Sequence, residues 1–135
     1  MILNLLAWDP VDERLDIVYI YYSQTGKIMF KNDKPDWYKR NRFLLRPVGI
    51  NDINKREIYE GFILKGHRYE NGQRRRFIGF VNYRYGKFVL DGLKQYSHIT
   101  SEEINSSYEI IGNIYQNKEL VQWLLFLKNL KLPKK

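Results

Sequence analysis

Residues 58–85 read IYEGFILKGHRYENGQRRRFIGFVNYRY. Asn71-Gly72 lies near the middle, and this dipeptide suits the two positive-φ positions of a type I′ turn. Apolar, β-branched and aromatic residues flank it on both sides. Ile58–Arg68 and Arg75–Tyr85 are therefore expected to pair as an antiparallel hairpin. Gly79 interrupts the returning strand and marks either a bulge or a close backbone approach. Tyr85-Gly86 turns the chain again into Lys87–Leu90. Residues 58–90 thus read as a three-stranded meander.

Upstream, Ile2–Trp8 reads as a strand that stops at Asp9-Pro10, because proline fixes its own φ and biases its predecessor away from helix. Leu15–Tyr22 is dense in Ile, Val and Tyr, which favour a pleated surface. Both of its faces are apolar, which predicts a central strand or one covered on both sides. Ser23-Gln24-Thr25-Gly26 turns it into Lys27–Phe30 as a further hairpin. Residues 31–41 are polar and contain Pro35, so a loop is expected. Trp37 and Tyr38 within it either fold back over a core edge or form an aromatic contact patch beside Lys34, Lys39, Arg40 and Arg42. Arg42–Leu45 is another strand, stopped by Pro47, and Gly49–Lys55 reads as a polar connection.

Downstream, Thr100-Ser101-Glu102-Glu103 fits a capping box, so one helical turn or a compact loop is expected. Tyr108–Tyr115 returns to strand. Asn117 is placed to cap a final helix over Lys118–Leu130, with Glu119 near its positive end. The chain has no internal repeat, no low-complexity tract and no linker long enough to divide it.

The 135 residues are 44% hydrophobic and 16% aromatic, which predicts one folded domain over 1–135. Cysteine is absent. That excludes disulfides, thiolate metal ligands and cysteine nucleophiles, and it suits a reducing cytosol. Met1–Ala7 lacks the basic n-region of a signal peptide. The apolar run Leu120–Leu127 is broken by Gln122 and falls far short of the ~20 residues of a membrane span. A soluble protein of the bacterial cytoplasm, with no membrane association, is expected. The formal charge of +8 is concentrated in residues 17–46 and 65–94. Such fields act on association and solubility rather than on fold, and they fit a nucleic acid or an acidic protein surface as partner.

Three blocks of sequence carry a resemblance. Ala7-Trp8-Asp9 ends the first strand. Gly49-Ile50 precedes a polar turn that leads into Glu57-Ile58-Tyr59-Glu60-Gly61. The last block is Ile111-Gly112-Asn113-Ile114-Tyr115 followed by Glu119-Leu120. In this order the chain resembles the YopX family of small proteins encoded by phages and prophages, over about residues 1–120. It departs from the family pattern at Val48, at Phe62, at Lys55 (where a turn glycine is usual) and at Lys118. The resemblance implies a mostly β fold with minor helix and a small, strongly bent, barrel-like sheet in its second half. With the residue reading this gives a mainly β (α+β) fold: N-terminal strands over 1–46, the barrel-like antiparallel sheet over 47–117, and a C-terminal helix over 118–130 that is longer than the family needs. It implies no reaction, because the family carries no catalytic residues to transfer.

The residues themselves point to binding. His67 and His98 have no second ligand at metal spacing, so neither a metal site nor a cofactor is expected. There is no nucleophile motif, phosphate-binding loop or dinucleotide fingerprint, so the chain reads as a non-enzyme. Lys65, Arg68, Tyr69, Arg74, Arg75 and Arg76, with Phe77, gather around the Asn-Gly turn. Arginines that hold phosphates and rings that stack on bases are the chemistry of a nucleic-acid surface. The same charges also suit a solvated hairpin tip guarded against edge-to-edge association. On the final helix, Leu120, Trp123, Leu124, Leu127 and Leu130 line an apolar stripe, which Val121, Leu125 and Phe126 widen almost all round. Such a helix either enters the protein's own core or docks on a second copy. The sequence therefore predicts a phage or prophage accessory protein that binds a host or phage macromolecule, as a homo-oligomer. A nucleic-acid-binding hairpin around Arg74–Arg76 is the alternative.

Overall fold

The computed structural model describes residues 5–93 and 101–119. They fall into two compact units, one reaching Arg46 and the other starting at Pro47.

The first unit is a four-stranded antiparallel sheet in the order β3-β2-β1-β4. Its strands are β1 (Leu6–Asp9), β2 (Arg14–Tyr22), β3 (Lys27–Phe30) and β4 (Phe43–Leu45). Ala7, Ile28 and Phe30 form its buried centre, with Val18 and Leu44 packed against them. β2 is central, as its composition suggested, but it is not covered on both sides. Ile17 and Tyr19 are at least half exposed, and Ile20, Tyr21 and Tyr22 are also exposed. The register with β3 shifts between Val18 and Ile20.

The connection after β3 contains a short 3₁₀ turn, Trp37–Lys39. Trp37 folds back and stacks on Tyr22 at a centroid distance of 5.6 Å. Tyr38 stays exposed, with the Lys39 ammonium 5.9 Å from its ring centre. One ring thus covers an edge and the other faces water.

Arg42 ties this unit together. Its guanidinium, almost wholly buried, makes two bonds to Asp33, at 2.7 and 2.9 Å, and one to Asp9, at 2.9 Å. It also donates to the Ile28 carbonyl and lies 4.1 Å from the centre of the Phe30 ring. A buried guanidinium is tolerated only when such partners satisfy it. Asp9 in turn accepts the backbone N–H of Val11 and Asp12, which shapes the turn after β1.

The second unit contains β5 (Pro47–Asn51) paired with β6 (Glu57–Tyr59), and a five-stranded antiparallel sheet in the order β10-β9-β8-β7-β11. Its members are β7 (Phe62–Glu70), β8 (Gln73–Arg84), β9 (Lys87–Gly92), β10 (Ser101–Glu102) and β11 (Glu109–Asn113). The expected meander is present as β7-β8-β9. Asn71 and Gly72 both have positive φ, +52° and +78°, as a type I′ turn requires. Gly79 marks a close approach rather than a bulge, since a Cβ there would lie 2.4 Å from the Asp91 carbonyl oxygen. Ile63, Leu64, Phe77, Val81, Leu90, Leu93 and Tyr108 are fully buried and form the centre of this unit.

Several expectations are corrected. The sheet is open: among the described residues there is no closed barrel, and no helix of seven or more residues. The bend arises instead at Glu60-Gly61, where one expected strand divides into β6 and β7 and the chain changes sheet. Gly61 has φ +84°, a conformation open to glycine at no steric cost. Strand extends through the first part of the expected polar connection, to Asn51. Ser101-Glu102, assigned to a capping box, pairs with β9 as strand. The expected helix over 118–130 lies outside the described residues beyond Glu119. Asn117, expected to cap it, accepts the backbone N–H of Asn113, four residues back.

Candidate nucleic-acid interface

A two-residue turn fixes the register of the strands that it joins. Lys65 stands opposite Ile78, His67 opposite Arg76, and Tyr69 opposite Arg74. Directly opposed residues project to the same side of an antiparallel pair, and so do alternate residues along each strand. Lys65, His67, Tyr69, Arg74 and Arg76 therefore share one face.

This face belongs to a projecting ribbon. β11 pairs with β7 only from Phe62 to Lys65, and β9 pairs with β8 only from Gly79 onward. Past those limits, among the described residues, β7 and β8 pair only with each other. Tyr69 is 77% exposed, and His67, Arg74 and Arg76 are exposed as well. Lys65 is half-buried at the ribbon's base.

An Arg74 Nη2 lies 3.2 Å from His67 Nδ1. A guanidinium can only donate, so Nδ1 accepts this bond in the tautomer that carries its proton on Nε2. The pKa of His67 is lowered, first by loss of hydration and then by the charges of Arg74, Lys65 and Arg76.

The structure sorts the six hairpin residues. Lys65, Tyr69, Arg74 and Arg76 come together. Arg75 projects to the opposite face, where it donates to Gln73 Oε1 at 3.1 Å. Arg68 stands opposite Arg75 in the register. Phe77, expected between the charges, is fully buried with its ring edge-on to Tyr108. His67 is the member that sequence reasoning set aside. Its signal was parity: it alternates with Lys65 and Tyr69 on one strand. Trp123, Leu124, Phe126, Leu127 and Leu130, the proposed association stripe, lie outside the described residues.

Other polar clusters are internally compensated. In the first unit a cleft of about 70 Å³ is lined by Asp12, Arg14, Asp33, Trp37, Arg40 and Arg42 among others. Within it Arg40 pairs with Asp12 at 3.3 Å and Arg42 with Asp33. In the second unit, buried Asp91 accepts from Asn82 and Arg84. Buried Asp52 accepts the backbone N–H groups of Asn54, Arg56 and Ile110, pinning the β5–β6 turn to β11. Among the described residues no group of three His, Asp or Glu could hold a metal ion.

Two of the three family blocks, those around Gly61 and Asn113, meet at a corner of the second unit. Gly61 N donates to the Val81 carbonyl, and Ile114 N donates to the Gly61 carbonyl, both at 2.8 Å. Asn113 Oδ1 accepts from the N–H of Tyr115 and Gln116, closing the turn after β11. The blocks thus set backbone direction at a corner.

Comparison with known proteins agrees with this frame. No curated protein matches the chain. A crystal structure of protein EF1440 from Enterococcus faecalis has the same fold, with a TM-score of 0.58 at 20% identity, covering 90% of this chain and 99% of that one. The family model described as YopX protein matches residues 11–122. That span includes both glycine-containing blocks and leaves out Ala7-Trp8-Asp9. The chain belongs to the YopX family.

Proposed function

We propose that this protein is a non-enzymatic accessory protein of phage or prophage origin that works in the bacterial cytoplasm by binding nucleic acid. The observation that supports this reading is the shared, exposed face of Lys65, Tyr69, Arg74 and Arg76 on a ribbon that projects past its sheet. Cations placed this way meet phosphates, and each phosphate neutralised releases condensed counterions.

The test is fluorescence anisotropy with labelled oligonucleotides between 50 and 200 mM salt. Three neutralised phosphates give a slope of log K against log[salt] of about −2 to −3. The double variant Arg74→Ser/Arg76→Ser should weaken binding at least tenfold and leave the melting temperature unchanged. No binding at 50 mM salt by the folded wild type would remove this reading.

A second reading is self-association. It is favoured by the exposed apolar side chains of β2, where Ile17 is 50% and Tyr19 60% exposed. Sedimentation velocity across a concentration series measures it. The mass should rise with concentration, and Tyr19→Ser should return it to that of a monomer.

A further inference from the structure

The ribbon has a repeat that net charge does not describe. Each exposed ring on β7 stands directly opposite an arginine on β8: His67 opposite Arg76, and Tyr69 opposite Arg74. The unit is two residues long, so its repeats stand about 6.7 Å apart along the strands. One strand of the ribbon presents rings and the other presents guanidinium groups, on the same face.

A duplex has no use for the rings. Its bases are stacked on one another and offer only their edges in the grooves. A cationic ribbon built for a duplex needs arginines for phosphates and base edges, and a solvent-exposed tyrosine adds nothing to either contact. A single strand differs, because each unstacked base has a free π-face and stacking on an aromatic side chain tolerates any sequence. An extended strand also presents one base and one phosphate per nucleotide, matching one ring and one guanidinium per ribbon repeat.

We infer that the β7–β8 ribbon holds single-stranded nucleic acid, with Tyr69 stacking on a base while Arg74 and Arg76 hold the adjoining phosphates. This rests on the nucleic-acid reading above and sharpens its substrate class. Tyr69 makes the single-strand preference, and the arginines make the salt dependence.

Three probes of equal length separate the roles: a 20-nucleotide deoxythymidine strand, a 20-base-pair duplex, and a 20-unit abasic strand that keeps the phosphates and lacks bases. Wild type should bind the thymidine strand at least tenfold more tightly than the duplex or the abasic strand. Tyr69→Ala should lose roughly tenfold on the thymidine strand and nothing on the abasic one. Tyr69→Phe should keep wild-type affinity, since it retains the ring. Tighter binding of the duplex, or an equal loss by Tyr69→Ala on both single strands, would overturn the single-strand assignment and leave the nucleic-acid reading standing. Failure to bind all three probes would overturn both.

Discussion

The ring of Tyr115 is packed onto Gly61: a Cβ added to Gly61 would lie 2.7 Å from Tyr115 Cε2. The two residues belong to blocks some fifty positions apart in the chain, and their contact joins those blocks at one corner. The glycine is needed twice, for its φ of +84° and for the ring above it. Gly61→Ala should therefore destabilise by about 2–4 kcal/mol, combining a left-handed backbone cost with overpacking. Adding Tyr115→Ala should relieve the crowding but not the backbone cost. Thermal melts of the two single variants and the double variant, read as a mutant cycle, should show that coupling.

Arg42 sets up a second test. Burial alone would lower its pKa, yet its bonds to Asp33 and Asp9 outweigh that and raise it. Arg42→Met leaves buried Asp9 without its cation and buried Asp33 with only Arg14, at 3.8 Å, a change that costs about 3–5 kcal/mol. Replacing the whole cluster, Arg42→Met with Asp9→Asn and Asp33→Asn, should recover most of the loss. Each asparagine keeps an oxygen for the backbone N–H groups of Val11, Asp12 and Phe30. Urea denaturation of the single and triple variants measures both effects.

Acid should unfold the protein through the same carboxylates and Asp52. Burial raises the pKa of Asp52, but the N–H groups of Ile110, Arg56 and Asn54 outweigh it and hold it below the usual value. Asp9 and Asp33 are lowered for the same kind of reason, with Arg42 contributing to both. A depressed folded pKa gives stability that is complete above the unfolded value, about 3.9, and is lost as pH falls through the folded values. The melting temperature should be flat between pH 7 and 5 in this respect and drop below about pH 4. Asp52→Asn should melt lower at pH 7 and show a shallower acid decline.

Local rules made much of this fold legible. Asn71-Gly72 announced the hairpin, and Lys27–Phe30 is strand over the residues expected. What the sequence concealed was longer in range. Gly61 after Tyr59-Glu60 reads locally as a corner, but nothing local says that the chain there leaves one sheet for another. Ser101-Glu102 has the pattern of a helix start, and its pairing with Leu90 and Asp91 overrides that preference. At the candidate interface, alternation was enough to separate Arg75 from Arg74 and Arg76. Counting back from the turn would also have placed His67 opposite Arg76 and set Arg68 apart from Lys65. Phe77 looked like an exposed ring among arginines; only the packing of Tyr108, contributed from thirty residues away, shows it as core.

Lys55 tests a single departure from the family pattern. It occupies a left-handed conformation with φ +65° in the turn held by Asp52, at the position where the resemblance to the family leads one to expect glycine. A side chain there costs about 1–2 kcal/mol, partly offset by the greater freedom that glycine has in the unfolded chain. Lys55→Gly should leave the protein unchanged or up to about 1 kcal/mol more stable, whereas substitution of an ordinary helical or strand residue by glycine would weaken it. Chemical denaturation detects the difference, and a clear loss would mean that the lysine side chain has a role of its own.

His67 gives the interface a pH signature. In the free protein its pKa is lowered by reduced hydration and by three neighbouring cations, so the ring is neutral at pH 7. A bound strand brings phosphates to that face and raises the pKa of the ring. The complex then takes up a proton that the free protein does not hold. Affinity should accordingly strengthen as pH falls through the pKa of the bound state, and level off once the free ring is protonated too. Measured at fixed salt, binding of the thymidine strand should be tighter at pH 5.5 than at pH 7.5. His67→Gln should flatten that dependence while leaving the salt slope of Arg74 and Arg76 in place. A wild-type affinity independent of pH would show that no phosphate approaches His67.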